Sequence, residues 1–273
     1  MRIKVSFASQ NIPIFIPINT NYYIANLINQ LCYEYQNYLK SLMPDSAQKN
    51  TFNIYTFSQL IIPLRKIYKF KICVNSPEFY LYISSPFYQF LSILAKELRC
   101  RKTIKIFDYR FEINDISFYP SPDFKTSEAR FTCLSPVTVY KDTGSSVEQN
   151  LPHAHNILQY MYPNEEDYQK YVKRDLIYKY NILNNENRQY LDMQLQFDSD
   201  YIKRKNNRIT KVITLESQDA APEQIRGVLA PLKVKAEPEI LQIIYDAGLG
   251  QLNNLGFGMV EMVYPGKEIP AMI

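Results

Sequence analysis

Apolar and polar residues alternate at the start of the chain, with Ile3, Val5 and Phe7 set between Arg2, Lys4 and Ser6. A period of two predicts a half-buried first strand. The stretch IPIFIPI follows, and its two prolines argue against a central strand. The period then changes. Ile24, Leu27, Ile28, Leu31, Tyr35, Leu39 and Leu42 recur at helical spacing. They predict one helix of about six turns, stopped by Pro44 and Asp45. β-Branched and aromatic runs at residues 51–60, 67–74 and 78–84 predict three strands. Phe87, Phe90, Leu91, Leu94, Ala95 and Leu98 mark a second helix, and residues 103–118 return to strand character. The order β-α-β-β-α-β with one extra strand is the ferredoxin-like (RRM-like) plan, two helices on one face of an antiparallel sheet.

Residues 120–128, PSPDFKTSE, read as a linker. The plan then repeats: strand at 129–140, loop at 144–156, helix at 165–184, strands around YLDMQLQF, ITKVITLE and IRGVLAPLKVKA, a helix opened by Pro238, and a last strand at FGMVEMV. The expectation is an α+β chain of two tandem ferredoxin-like domains, residues 1–122 and 128–273, against the alternative of a single larger α+β domain. The halves resemble each other in element order only.

Composition narrows the picture modestly. Hydrophobic residues make up 46% and charged residues 21%, a globular balance. The net charge of +4 permits an acidic partner without requiring one. Cys32, Cys73, Cys100 and Cys133 are far apart, with no C-x-x-C pair, and read as isolated buried thiols of a reducing compartment. The first residues lack the continuous apolar stretch of a signal peptide, and no run approaches the roughly 20 apolar residues of a membrane span. A cytoplasmic protein with no membrane association is expected. His153 and His155 are two apart, but one pair without a third nearby ligand does not make a metal site. No metal and no cofactor are expected.

The chain has seven glycines, and four of them, Gly248, Gly250, Gly256 and Gly258, fall within AGLGQLNNLGFGMVE. The spacing G-x-G-x5-G-x-G is not the dinucleotide fingerprint, and this loop follows a helix and precedes a strand, the reverse of that fingerprint's context. Gly248 can cap the preceding helix at positive φ. The cluster as a whole can turn backbone N–H groups outward to a phosphate chain, with Asn253 and Asn254 adding amide donors. Bulkier residues at Gly256 or Gly258 are then expected to weaken binding and spare the fold.

The segment GLGQLNNLGFGMVE resembles the C-terminal glycine-rich signature of the CRISPR repeat-RNA endoribonucleases, the Cas six family of the repeat-associated RNA-binding superfamily. MRIKVSF with IPINTNYYIANLINQL, YTFSQL and LSPVTVY are similar to other landmarks of that family, in the same order along nearly the whole chain. The resemblance implies two ferredoxin-like domains, binding of a CRISPR repeat by the glycine segment, Phe257 included, and metal-independent cleavage at the 3′ side of the repeat. It leaves open whether the protein is a monomer or a homodimer, and whether it joins other CRISPR effector subunits.

Two further sets of residues fill in that reading. Lys203, Arg204, Lys205, Arg208 and Lys211 surround Asn206 and Asn207, which predict a turn between two strands with a cationic tip suited to phosphates. Lys170, Lys173, Arg174 and Lys179 lie on the 165–184 helix, where Glu166 can pair with Lys170, and read as a salt-bridged solvent face. Members of the resembled family carry a histidine after the first helix, a few residues before a lysine. Here Met43 stands about where the histidine belongs, and Lys49 matches the lysine. Lys49 is therefore the carried-over catalytic residue, a cation for the transition state. His153 and His155 are the remaining imidazoles able to accept a proton near neutral pH. Tyr23, Tyr33 and Lys40 are reserve candidates. The alternative function is a repeat-RNA-binding subunit that does not cut.

Overall fold

The computed structural model describes residues 1–9, 11–41, 55–141, 159–215 and 222–264. Ile3, Val5 and Phe7 do face the core from β1 (Arg2–Ala8). β2 (Ile14–Pro17) leads to α1 (Asn21–Leu31) and α2 (Tyr33–Ser41). The predicted single helix is thus two, because Cys32 leaves helical geometry after its N–H closes on Ile28 O. In the second piece, the Tyr35 hydroxyl bonds Gln89 Oε1 at 3.2 Å. Of the strand expected over 51–60, residues 51–54 lie outside the described part, and within 55–60 the strand is β3 (Thr56–Phe57). β4 (Arg65–Ile67), β5 (Lys71–Val74), β6 (Glu78–Ser84), α3 (Tyr88–Arg101), β7 (Thr103–Ile106) and β8 (Tyr109–Tyr119) follow.

The strands order as β3-β6-β1-β8-β7, all antiparallel. Without the extra β7 hairpin this is the ferredoxin-like order. α1 and α3 bury Ile24, Ile28, Leu91, Leu94 and Leu98 against Ile3, Val5 and Phe7. β2, β5 and β4 form a separate three-stranded sheet with proline-flanked β2 at its edge, as its prolines require.

The second series begins with β9 (Glu128–Cys133), then β10 (Tyr140–Lys141) paired with β11 (Gln159–Tyr160), α4 (Tyr168–Asn184) and β12 (Gln194–Phe197). α5 (Ser199–Arg204), β13 (Thr210–Leu215), β14 (Glu223–Val228), β15 (Leu232–Lys235), α6 (Pro238–Ala247) and β16 (Val260–Met262) complete it. The order β12-β15-β9-β16 repeats the ferredoxin-like sheet. α4 and α6 cover one face, with Val172, Leu176, Ile240 and Ile244 in one core with Phe131 and Val234. The run IRGVLAPLKVKA, expected as one strand, is two. Pro231 has no N–H to continue a ladder, so β14 pairs with β13 and β15 pairs with β12 and β9. Three of the four cysteines are buried as expected, while Cys100 is exposed; all four are free thiols.

Candidate nucleic-acid interface

The glycine segment leaves α6 at Gly248, whose φ of 89° and N–H bond to Ile244 O make it the expected helix cap. Gly250, Gly256 and Gly258 also have positive φ, from 72° to 78°, where a side chain would be strained. A short 3₁₀ turn spans Asn253–Leu255 between them. The geometry corrects the picture of an open phosphate cradle. The N–H groups of Gly248, Gly256 and Gly258 bond to carbonyls of Ile244, Asn253 and Pro136. Phe257 is fully buried. Asn253 is also buried, its Nδ2 donating to Phe257 O at 3.0 Å and its Oδ1 accepting from Lys179 at 2.7 Å. Half-buried Leu252, Asn254 and Leu255 form the outer rim of the segment.

The backbone turns inward because it wraps a buried cation. Lys179, 5% exposed, donates to Gly248 O (3.0 Å), Gly250 O (2.9 Å), Asn253 Oδ1 and Asp175 Oδ2 (2.6 Å). Burial raises the Asp175 pKa against the opposing pull of Lys179. The sequence reading placed Lys179 on a solvent face. The overlooked signal is position: it lies seven residues after Val172, within the stripe Val172, Leu176, Tyr180 that enters the core. At the other end of that helix Lys170 reaches Asp167 at 4.0 Å, one position from the partner expected.

The segment also ties the two sheets together. Asn21 Nδ2 on α1 donates to Leu255 O (2.8 Å) and Gly256 O (3.0 Å), and Thr56 Oγ1 donates to Phe257 O (2.9 Å). Arg2, 1% exposed, bonds Glu261 Oε2 (2.5 Å) and Val260 O (2.7 Å) and lies over the Tyr245 ring. A Cβ on Gly256 would sit 2.7 Å from Asn21 Nδ2 and overlap the Phe57 ring. One on Gly258 would overlap Leu249 O. Substitution at either glycine is therefore costly to the fold, contrary to the expectation from sequence.

The cationic stretch 203–211 is not a hairpin tip. Asp198 caps α5 by accepting from Tyr201 N at 2.8 Å, and Lys203 and Arg204 complete the last helical turn. Asn206 and Asn207 do turn the chain, at φ of 50° and 60°, but from a helix into β13. Lys203, Arg204, Lys205 and Arg208 are all exposed. Arg204 and Lys205 line a groove of about 710 Å³ between α5 and the open face of the second sheet, joined there by Arg130, Tyr201 and Lys233, which pairs with Glu128 at 2.7 Å, and by the carboxylates Asp198 and Asp200. Arg130 and Lys233 escaped the sequence reading because they alternate along strands whose other faces are core. Lys211, on β13, donates to Gln59 Oε1 at 2.8 Å across the two halves. Burial, with Arg65 nearby, lowers its pKa to about 8.

This groove carries a prediction. If it holds RNA phosphates, alanine at Arg204 and Lys205 weakens binding to many sequences alike. The slope of log affinity against log salt then falls by roughly 0.7–0.9 per lost contact. A slope equal to the parent's, read by fluorescence anisotropy, would show that these side chains face only solvent.

Lys49, His153 and His155 lie outside the described residues, as does Met43. Tyr23 is partly buried against Phe107, with ring centroids 5.1 Å apart, and Tyr33 is exposed. Among the described residues, no group of three or more His, Cys, Asp or Glu could hold a metal ion, and no helix is long and apolar enough to cross a membrane.

Comparison with known proteins places these features in one family. The profile of the CRISPR-associated protein Cas6 N-terminal region matches residues 15–117, and that of the Cas6 C-terminal region matches residues 119–262. The CRISPR-associated endoribonuclease Cas6 1 of Methanocaldococcus jannaschii is 28% identical over 265 residues, covering 95% of this chain and 92% of the relative. Two solved structures share the fold over 97% of this chain. One comes from the characterization of a Cas6-related gene from Pyrococcus furiosus (TM-score 0.74, 23% identity, 99% of that chain). The other is described as an RAMP protein binding different RNA substrates (TM-score 0.72, 24% identity, 100% of that chain). With the C-terminal profile alone covering more than half of the chain, including the second sheet and the glycine segment, the chain belongs to the Cas6 family of CRISPR-associated proteins.

Proposed function

We propose that this chain is an endoribonuclease that cuts CRISPR precursor RNA within the repeat, in the cytoplasm. The observation that carries the reading is its alignment over 95% of its length with a relative named as a CRISPR-associated endoribonuclease. The domains are taken as residues 1–122 and 128–273. RNA lies along the groove of Arg204, Lys205, Arg130 and Lys233 and reaches the rim of the glycine segment at Asn254. The glycines, Asn253 and Phe257 act by shaping that rim.

In this reading the reaction needs no metal. The ribose 2′-OH beside the scissile phosphate loses its proton to a base and attacks phosphorus. The bond to the 5′ oxygen breaks, and that oxygen takes up a proton. The products are a 2′,3′-cyclic phosphate and a 5′-OH. Because the nucleophile belongs to the RNA, the protein supplies alignment, proton transfer and positive charge. Lys49 holds charge on the phosphorane-like transition state, and His153 or His155 accepts the proton.

The second reading, a repeat-RNA-binding subunit that does not cut, is favoured by one observation: Met43 stands where the resembled family carries a histidine. Incubating the purified protein with its own repeat RNA and with a shuffled RNA of equal length separates the readings. A single cut confined to the repeat is expected. Tight, repeat-selective binding with intact RNA would establish the second reading, and equal binding to both RNAs would remove both.

A further inference from the structure

The three-stranded sheet β2-β5-β4 contributes no residue to the groove, and its outer face carries exposed aromatic and cationic side chains. Register places its side chains. Phe15 pairs with Cys73, which pairs with Lys66, so these three share a face. Two residues along, Pro17 pairs with Lys71. Tyr68 continues that row, its N–H bonding Lys71 O at 2.8 Å across the Lys69–Phe70 turn. The opposite face carries Ile14, Ile16, Ile72 and Val74 into the core.

The outer face is therefore an aromatic pair bracketed by cations. The rings of Phe15 and Tyr68 lie 6.1 Å apart. Phe70, at the turn, is 69% exposed, with Lys69 Nζ 5.0 Å from its ring centre. Tyr68 is 52% and Phe15 45% exposed. No acidic residue occurs between residues 46 and 77. Among the described residues, none of Arg65, Lys66, Lys69 and Lys71 has a carboxylate within ion-pair distance. Exposed rings do nothing for a duplex, whose bases are already stacked, but they suit unpaired bases, whose phosphates the neighbouring cations can hold. A protein-binding patch would share the aromatics but is typically depleted in lysine; the cations beside these rings, Lys66, Lys69 and Lys71, are all lysines. Arg65 pairs with Val74 and so belongs to the opposite face, where it stands near Lys211, which bonds Gln59 of the first half.

We propose that the outer face of β2-β5-β4 is a stacking platform for a single-stranded stretch of RNA, with Phe15, Tyr68 and Phe70 under the bases and Lys66, Lys69 and Lys71 on the phosphates. The inference rests on the reading of the chain as an RNA-binding protein but not on its cutting RNA. The test compares the parent with F15A/Y68A/F70A and with K66A/K69A/K71A, each shown by its melting curve to be folded. The probes are the repeat RNA and an oligouridylate that contains no repeat. The aromatic variant is expected to lose at least about tenfold in affinity for both RNAs, and the lysine variant to flatten the salt dependence for both. Both variants binding oligouridylate like the parent would overturn the proposal, and so would a parent that does not bind oligouridylate. Unchanged RNA affinity together with lost association of an acidic effector subunit would reassign the face to protein docking. A parent that binds oligouridylate through this face but never cuts its repeat would sink the nuclease reading and leave the platform standing.

Discussion

Lys179→Met is expected to destabilise the protein by about 4 kcal/mol, because removing one partner of a buried pair leaves the other without compensation. Methionine fills much of the same space but cannot donate. Asp175 loses its cation, and Gly248 O, Gly250 O and Asn253 Oδ1 lose a donor in a buried site. Each orphaned buried acceptor adds to the cost. The loss reaches beyond α4, because the same segment receives Asn21 and Thr56 from the first half. The denaturation midpoint should fall and repeat-RNA affinity with it. Asp175→Asn should cost less, since asparagine still offers an acceptor to the ammonium. An unfolding free energy within about 1 kcal/mol of the parent for Lys179→Met would mean that the segment holds its shape without the cation.

Lys49→Ala is expected to slow single-turnover cleavage at least about tenfold, with binding nearly intact, as follows when a cation acts on charge that develops in the transition state. An unshifted lysine titrates near 10.4, so it is charged throughout the neutral range and serves better as an electrostatic partner than as a base. On the proposed assignment the proton acceptor is an imidazole, so the double variant His153→Ala/His155→Ala should also cut slowly, with a changed pH profile. If Lys49→Ala and the double histidine variant both cut at the parent rate, the assignment of the site is wrong. If only the histidines prove silent, another group takes the proton.

Much of this architecture was legible in the sequence. Period two and period 3.6 alternate cleanly enough to give both ferredoxin-like halves, and Pro238 and Gly248 marked both ends of α6. The failures have local causes. The break at Cys32 carries no glycine or proline to announce it. The cations at 203–211 suggest a hairpin tip, and the six residues of α5 carry too little periodicity to announce a helix there. The role of the glycines was only half legible. Positive φ could be foreseen, but the direction of the freed N–H groups depends on what the segment wraps, and that is a lysine some 70 residues earlier in the chain. Arg2 likewise reads as the polar side of a strand until the second half closes over it. Long-range partners of this kind leave no trace in a local window.

The central claim is that the chain cuts its repeat using the RNA's own 2′-OH. The most direct measurement is cleavage of repeat RNA in excess EDTA, with mass spectrometry of both fragment ends and a control RNA bearing a 2′-deoxy residue before the scissile phosphate. The account predicts one cut that is indifferent to EDTA, a 2′,3′-cyclic phosphate on the upstream fragment, a 5′-OH on the downstream one, and no cleavage of the deoxy RNA. Cleavage abolished by EDTA, or a 5′-phosphate product from a deoxy RNA that is still cut, would contradict it.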